Sequence, residues 1–155
     1  MYAYATPYAN ATQATPTNTL LSQWGNAIVG NWKVTGPGSG TFTAAWNPAQ
    51  TALSGTFSMT GYPNVRWTAS IASSGQLVQN NINSDGTTAK VVISSLGNGE
   101  FSAAAACASA ESTQIGSSNT TVSFSNSGNT MTHELSNVVS QGVSQPNMAI
   151  VFSRS

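Results

Sequence analysis

Residues 53–71 read LSGTFSMTGYPNVRWTASI and contain the pattern that decides the fold. Hydrophobic and polar side chains alternate on both sides of the turn signal Tyr62-Pro63. Successive side chains of a β-strand point to opposite faces of the sheet. One face therefore collects the apolar residues, and the other collects Ser, Thr and Arg66. Such a strand pair must hide its apolar face against further strands.

The same period of two continues along the chain from Ala27 to the last residues. Turn signals rich in Gly, Pro, Asn and Ser interrupt it at intervals of roughly ten residues. They occur at residues 36–38, 47–48, 62–63, 73–75, 84–86, 97–99, 117–119, 126–128 and 140–142. Consecutive hairpins with one apolar face favour an all-β fold, a closed antiparallel up-and-down β-barrel of about eight to ten strands.

The segment before the strands predicts a short helical turn. Thr19 is placed to cap it, and Gly25 is placed to end it. Residues 1–19 are a low-complexity stretch of Ala, Thr and Tyr with neither a basic start nor an apolar core, so we expect a tail and not an intact signal peptide. The predicted organisation is a tail over 1–19 and one barrel domain over 20–155.

The composition excludes several functions. The chain has 155 residues, of which only 5% are charged, with 4 Lys and Arg, 4 Asp and Glu, and a net charge of zero. Four scattered cations cannot form a nucleic-acid surface, and no apolar run is long enough to span a membrane. A single Cys forbids an internal disulfide, and one Cys with one His makes a poor metal site. We expect no metal and no cofactor.

A family resemblance rests on a few residues. Gly30 and Trp32 open the first strand as Gly-x-Trp, and the closing segment 148–154 ends in Arg154. This layout resembles the calycins, the superfamily of lipocalin and fatty-acid-binding barrels, and together with segment 129–135 it is similar to uncharacterised bacterial lipocalin-like domains. The resemblance implies that the tryptophan plugs one end of the barrel, that the arginine lies across it, and that the interior binds a small hydrophobic molecule.

The predicted interior offers a candidate ligand site. Its inward-facing candidates are Trp46, Phe57, Trp67, Phe124, Met131 and His133. The small side chains at 103–106 leave volume, so a cavity is expected beneath residues 103–108. His133 is the only imidazole and would be the single polar contact. No inward carboxylate accompanies it, because Glu134 follows directly and points to the opposite face. The predicted partner is therefore a small apolar molecule.

Two other functions stay open at this point. A surface with so few charges opposes self-association only weakly, so the chain could be a coat, filament or surface-layer subunit and form homo-oligomers. A barrel-type cyclase or isomerase that uses His133 is a further alternative. The composition suits an extracellular or surface location, but the localisation stays undecided.

Overall fold

A computed structural model of the protein describes residues 16–155, and the side chains of residues 19–155. It contains one helix, α1 (Pro16–Ile28), followed by eleven strands. The strands are β1 (Gly30–Thr35), β2 (Ser39–Trp46), β3 (Ala52–Met59), β4 (Val65–Ile71), β5 (Leu77–Asn83), β6 (Thr88–Gly97), β7 (Glu100–Ala108), β8 (Gln114–Ser125), β9 (Thr130–Ser140), β10 (Val143–Ser144) and β11 (Met148–Arg154).

Ten of these strands form a closed antiparallel barrel, which confirms the predicted fold class. Strands β1 to β9 each pair with the next one in the chain, β9 pairs with β11, and β11 returns to β1. The two-residue strand β10 lies outside the ring and pairs only with the end of β9. Closure pairs every strand of the ring on both sides, which removes the open edges that a flat sheet would expose.

Alternation explains which side of the barrel each residue faces. In β1 the exposed and buried side chains alternate, with Trp32 and Val34 buried and Lys33 exposed between them. Arg66, Lys90, Glu100 and Glu134 are exposed as well, as alternation predicts. The interior is filled by apolar side chains, of which the largest fully buried are Trp32, Phe152, Ile28, Leu53, Leu77, Met131, Val34 and Val122.

The helix α1 covers one end of the barrel. Leu21, Trp24 and Ile28 are three and four residues apart, so they lie on one helix face and are buried in the core. The helix packs against β2, β4 and β5. No described helix is long and apolar enough to cross a membrane.

The helix is longer than the predicted turn. It begins at Pro16, inside the segment predicted as a tail, and it continues past Gly25 to Ile28. Gly25 does not end the helix, because Val29 donates its N–H to the Gly25 carbonyl at 2.9 Å and so extends the ladder. The glycine serves close packing instead, since a Cβ at this position would overlap the Trp46 ring. The remaining residues of the predicted tail, 1–15, lie outside the described residues.

One predicted turn is wrong. Residues 117–119 lie inside β8, where the pairing with β9 shifts between Ser117 and Asn119. The turn lies earlier, where Ser109 donates its N–H to the Thr113 carbonyl at 2.8 Å. Polar residues such as Ser and Asn suit a turn, but here β7 and β9 pair with the segment from both sides and hold it extended, with a bulge absorbing the irregularity.

The end of the barrel beside α1 is closed by Trp32 and Arg154. The Arg154 guanidinium lies 4.1 Å from the centre of the Trp32 ring, in cation–π geometry. Gly30 lies next to them with a φ of +132°, a conformation that glycine adopts most readily, and a Cβ there would lie 2.7 Å from an Arg154 nitrogen. The three residues of the resemblance therefore meet at one end of the barrel.

Candidate functional site

The interior of the barrel contains a cavity of about 240 Å³ that is partly open to solvent. Trp24 of α1 bounds it on one side, while Phe57 and Val65, which pair next to the turn at 60–64, bound it toward the other end of the barrel. The lining residues are Trp24, Phe42, Phe57, Val65, Trp67, Gln79, Asn81, Val91, Ile93, Ala103, Ala105, Thr120, Val122, His133, Leu135, Ile150 and Phe152. None of them is an acid, a lysine or an arginine.

Small side chains on β7 make room for this space. Ala103 and Ala105 face the cavity, whereas Ala104 between them is exposed on the outer side. Cys107, next in the inward series, is half-buried and does not line the cavity; burial raises the pKa of its thiol. The cavity therefore lies beside Ala103 and Ala105, at the beginning of the alanine-rich segment 103–106.

Three of the predicted ligand residues line this cavity. Phe57, Trp67 and His133 belong to β3, β4 and β9, and the curvature of the closed sheet brings them to one space. Contacts with neighbouring aromatic rings hold Trp67 and His133 in place. Phe42 is stacked on Trp67 with ring centres 5.6 Å apart, and Phe152 lies 4.4 Å from the imidazole of His133.

The other three predicted ligand residues lie elsewhere in the structure. The Trp46 ring packs against Gly25 of α1. Phe124 lies edge-on to Phe101 at 6.3 Å, and Met131 is fully buried opposite Phe124 on the neighbouring strand. All three serve packing toward the end of the barrel that α1 covers.

Sequence reasoning missed four lining residues that carry polar atoms. Gln79 and Asn81 of β5 face inward, and the Gln79 Nε2 donates to Asn81 Oδ1 at 3.0 Å. The signal was present, because both residues are in phase with the buried Leu77, whereas Ile82 lies on the outer side and is 51% exposed. Polar residues inside and an apolar one outside invert the usual pattern of a strand.

The other two missed residues are Thr120 and Trp24. Thr120 is in phase with the buried Val122 of β8. Trp24 follows Leu21 by three residues on the buried face of α1, so a longer predicted helix would have placed it against the barrel.

Three buried polar atoms of the described residues have no hydrogen-bond partner: the indole Nε1 of Trp24, the indole Nε1 of Trp67 and the imidazole Nε2 of His133. All three belong to residues that line this cavity. Buried polar groups are nearly always paired in folded proteins, so three unpaired atoms on residues that line one cavity make this cavity the candidate site.

His133 is neutral at physiological pH. Its side chain is only partly covered, but Nε2 is sealed from solvent. Burial lowers the pKa of the imidazole from 6.5 to about 4, because the protonated form would lose its hydration. The neighbouring Glu134 is exposed on the other face, and no carboxylate is among the lining residues. The site can therefore bind and orient a neutral molecule through apolar contacts and hydrogen bonds.

A metal site is not found in the part of the chain that the structure describes, where no three His, Cys, Asp or Glu side chains come together.

No model of a protein family matches this chain. No curated protein is significantly similar to it. The closed antiparallel barrel of ten strands is compatible with a calycin-like fold.

Proposed function

We propose that this protein is a lipocalin-like binding protein that holds a small, neutral, mainly apolar molecule inside its barrel. The observation that supports the proposal is the cavity of about 240 Å³, walled by aromatic and aliphatic side chains and free of charged ones. Pockets of this character, with a few polar groups, are typical of small-molecule sites.

The volume limits the size of the ligand. An apolar cavity of about 150 Å³ accommodates benzene, so in proportion a cavity of about 240 Å³ accommodates about ten non-hydrogen atoms. A two-ring molecule has this size. A dissociation constant on the order of 10–100 µM would correspond to about 6 kcal/mol, which is within the limit for so small a ligand.

The charge of the lining limits the chemistry. A carboxylate would enter without a cationic partner, since the four Lys and Arg of the chain are absent from the lining. Burial of an unpaired charge is strongly unfavourable. We therefore expect neutral ligands to bind, anionic ones of equal size to be rejected, and the affinity to change little with salt.

The test is to measure by isothermal titration calorimetry the binding of tetralin, of 1-tetralone and of cinnamate, an anion with as many non-hydrogen atoms as 1-tetralone. Ala105→Leu places a larger side chain in the cavity and should weaken binding of the neutral compounds at least tenfold. Ala104→Leu, one residue away on the outer face of the same strand, is the matched control and should leave binding unchanged. Failure of both neutral compounds to bind, or equal effects of the two substitutions, would contradict the proposal.

Self-assembly and catalysis by His133, the two other functions inferred from the sequence, stay predictions. For catalysis, a histidine acting as a general base works best with an orienting partner, and the described lining has no carboxylate to orient His133. Light scattering of the concentrated protein tests self-assembly, which a monomer would contradict. Once a turnover is known, the activity of a His133→Gln variant tests catalysis, and unchanged turnover would contradict it.

A further inference from the structure

We infer that the ligand carries carbonyl or ether oxygens and that Trp24 and Trp67 recognise them by donating their indole N–H groups. The inference rests on the proposed function and deepens it: the site selects oxygenated two-ring molecules over hydrocarbons of the same shape. The observation behind it is that both tryptophans line one cavity and that the indole nitrogen of each is buried without a hydrogen-bond partner.

An indole nitrogen can only donate a hydrogen bond. Its partner must therefore be an acceptor, and a hydrocarbon ligand would leave both donors unsatisfied. A ligand oxygen placed at each nitrogen removes this penalty. The ligand class that fits is neutral and bears acceptors, as cyclic ketones, lactones and aryl ethers do.

Trp32, the tryptophan that closes one end of the barrel, provides a comparison. It is also fully buried, and its Nε1 donates to the Ile28 carbonyl at 2.8 Å. The chain thus supplies a backbone acceptor to the indole at the closed end of the barrel, whereas neither indole at the cavity has one. The contrast supports a role in binding for the two indole donors that the chain leaves unpaired.

Both indoles are held in place by their neighbours. Trp67 is stacked on Phe42 with an angle of 6° between the rings, and a Cβ on Gly55 would lie only 2.8 Å from it. Trp24 lies edge-on to Phe101 at 5.0 Å. Donors fixed before the ligand arrives lose little freedom on binding, which favours a selective contact.

His133 adds a third polar position. The neutral imidazole carries one proton on either nitrogen, so Nε2 can donate to a ligand oxygen or accept from a ligand hydroxyl, according to its tautomer. The histidine therefore tolerates either partner, and the selectivity for acceptors comes from the two tryptophans.

The experiment compares tetralin with 1-tetralone, which differ by one carbonyl oxygen. A purely apolar cavity would prefer tetralin because it is the more hydrophobic compound. We expect 1-tetralone to bind about tenfold more tightly, the effect of satisfying a buried donor. In ¹⁵N–¹H spectra, which show one indole signal for each of the four tryptophans, 1-tetralone should shift one or both of the Trp24 and Trp67 signals downfield, and tetralin should not.

Single variants identify the donors. Trp24→Phe and Trp67→Phe keep an aromatic ring but remove the N–H, so at least one of them should reduce the preference for 1-tetralone to less than threefold. Trp46→Phe is the control, since its ring packs against Gly25 and does not line the cavity. Should these variants fail to fold, the spectra of the unmodified protein still decide.

The outcomes distinguish failure of the inference from failure of the proposed function. If tetralin binds as tightly as 1-tetralone, or if neither indole signal moves downfield, the inference is overturned while the proposed function stands. If neither compound binds up to its solubility limit, the proposed function is overturned and the inference with it. A preference for 1-tetralone together with a downfield indole shift supports both.

Discussion

The burial of His133 makes the stability of the barrel depend on pH. In the folded protein the pKa of the imidazole is about 4, against 6.5 for an exposed histidine. Between these values the unfolded chain takes up a proton that the folded protein refuses, so acid favours unfolding. The contribution to stability is complete above pH 6.5 and is lost as the pH falls to about 4, a change of about 3 kcal/mol.

A neutral substitution should remove this dependence. We expect the free energy of unfolding of His133→Gln, measured with urea, to fall by about 3 kcal/mol less than that of the unmodified protein between pH 7 and pH 4. Glu134→Gln is the control, because this neighbour is exposed and should leave the histidine's effect in place. Parallel curves for His133→Gln and the unmodified protein would show that the imidazole is accessible to protons in the fold.

At the scale of the element, α1 matters because its fit against β2 depends on one missing side chain. Gly25 lies inside the helix, where an alanine is usually more favourable by about 1 kcal/mol. In this protein a Cβ at residue 25 would overlap the Trp46 ring. Packing and helix propensity therefore oppose each other at a single position.

A double-mutant cycle separates the two effects. Gly25→Ala should destabilise the protein by about 1–3 kcal/mol, because the ring must move. With Trp46→Ala already present, the same change should stabilise it by about 0.5–1 kcal/mol, because only the propensity remains. Ser22→Ala, at an exposed position of the same helix, measures the effect of propensity alone. If the sign of Gly25→Ala does not change with residue 46, the proposed contact does not control the position of the helix.

Individual elements also show what could be predicted from the sequence and why. The strands with strict alternation, such as β1 and β4, are placed correctly, because burial of one face leaves a single register. In β5 the residues in phase with the buried Leu77 are Gln79 and Asn81, so the phase alone indicates that they face inward, whereas their polar side chains break the hydrophobic alternation by which an inward face is recognised. The site was therefore only partly predictable: its aromatic wall follows from the pattern, and its polar side does not.

At the scale of the whole molecule, closure of the barrel was predictable because consecutive hairpins with one apolar face have few other ways to bury it. The volume of the interior was not, since it depends on how far opposite strands stand apart. The alanines of β7 correctly indicated a cavity beside that strand. However, Trp24, which also bounds the cavity, belongs to α1, and the sequence pattern predicted this helix to be shorter than it is.

Arg154, in the last strand, binds the end of α1 and the turn between β8 and β9, and so stabilises the molecule as a whole. Its Nη1 donates to the Val29 carbonyl at 2.8 Å, its Nη2 to Ala27 at 3.0 Å and its Nε to Gly128 at 3.2 Å. The same guanidinium lies over Trp32. One side chain thus ties the end of α1, the β8–β9 turn and the last strand together.

Removal of this side chain should therefore cost far more than removal of a surface charge. Arg154→Met leaves three carbonyls without their donor and loses the cation–π contact, so we expect a loss of about 3 kcal/mol in urea unfolding. Arg154→Lys should recover only part of it, because one ammonium cannot reproduce the planar fork of donors. Arg66, the only other arginine, is exposed. Arg66→Met should therefore change the free energy of unfolding by less than about 0.5 kcal/mol. Similar losses for the two methionine variants would mean that the closure depends on the aromatic core alone and not on the arginine.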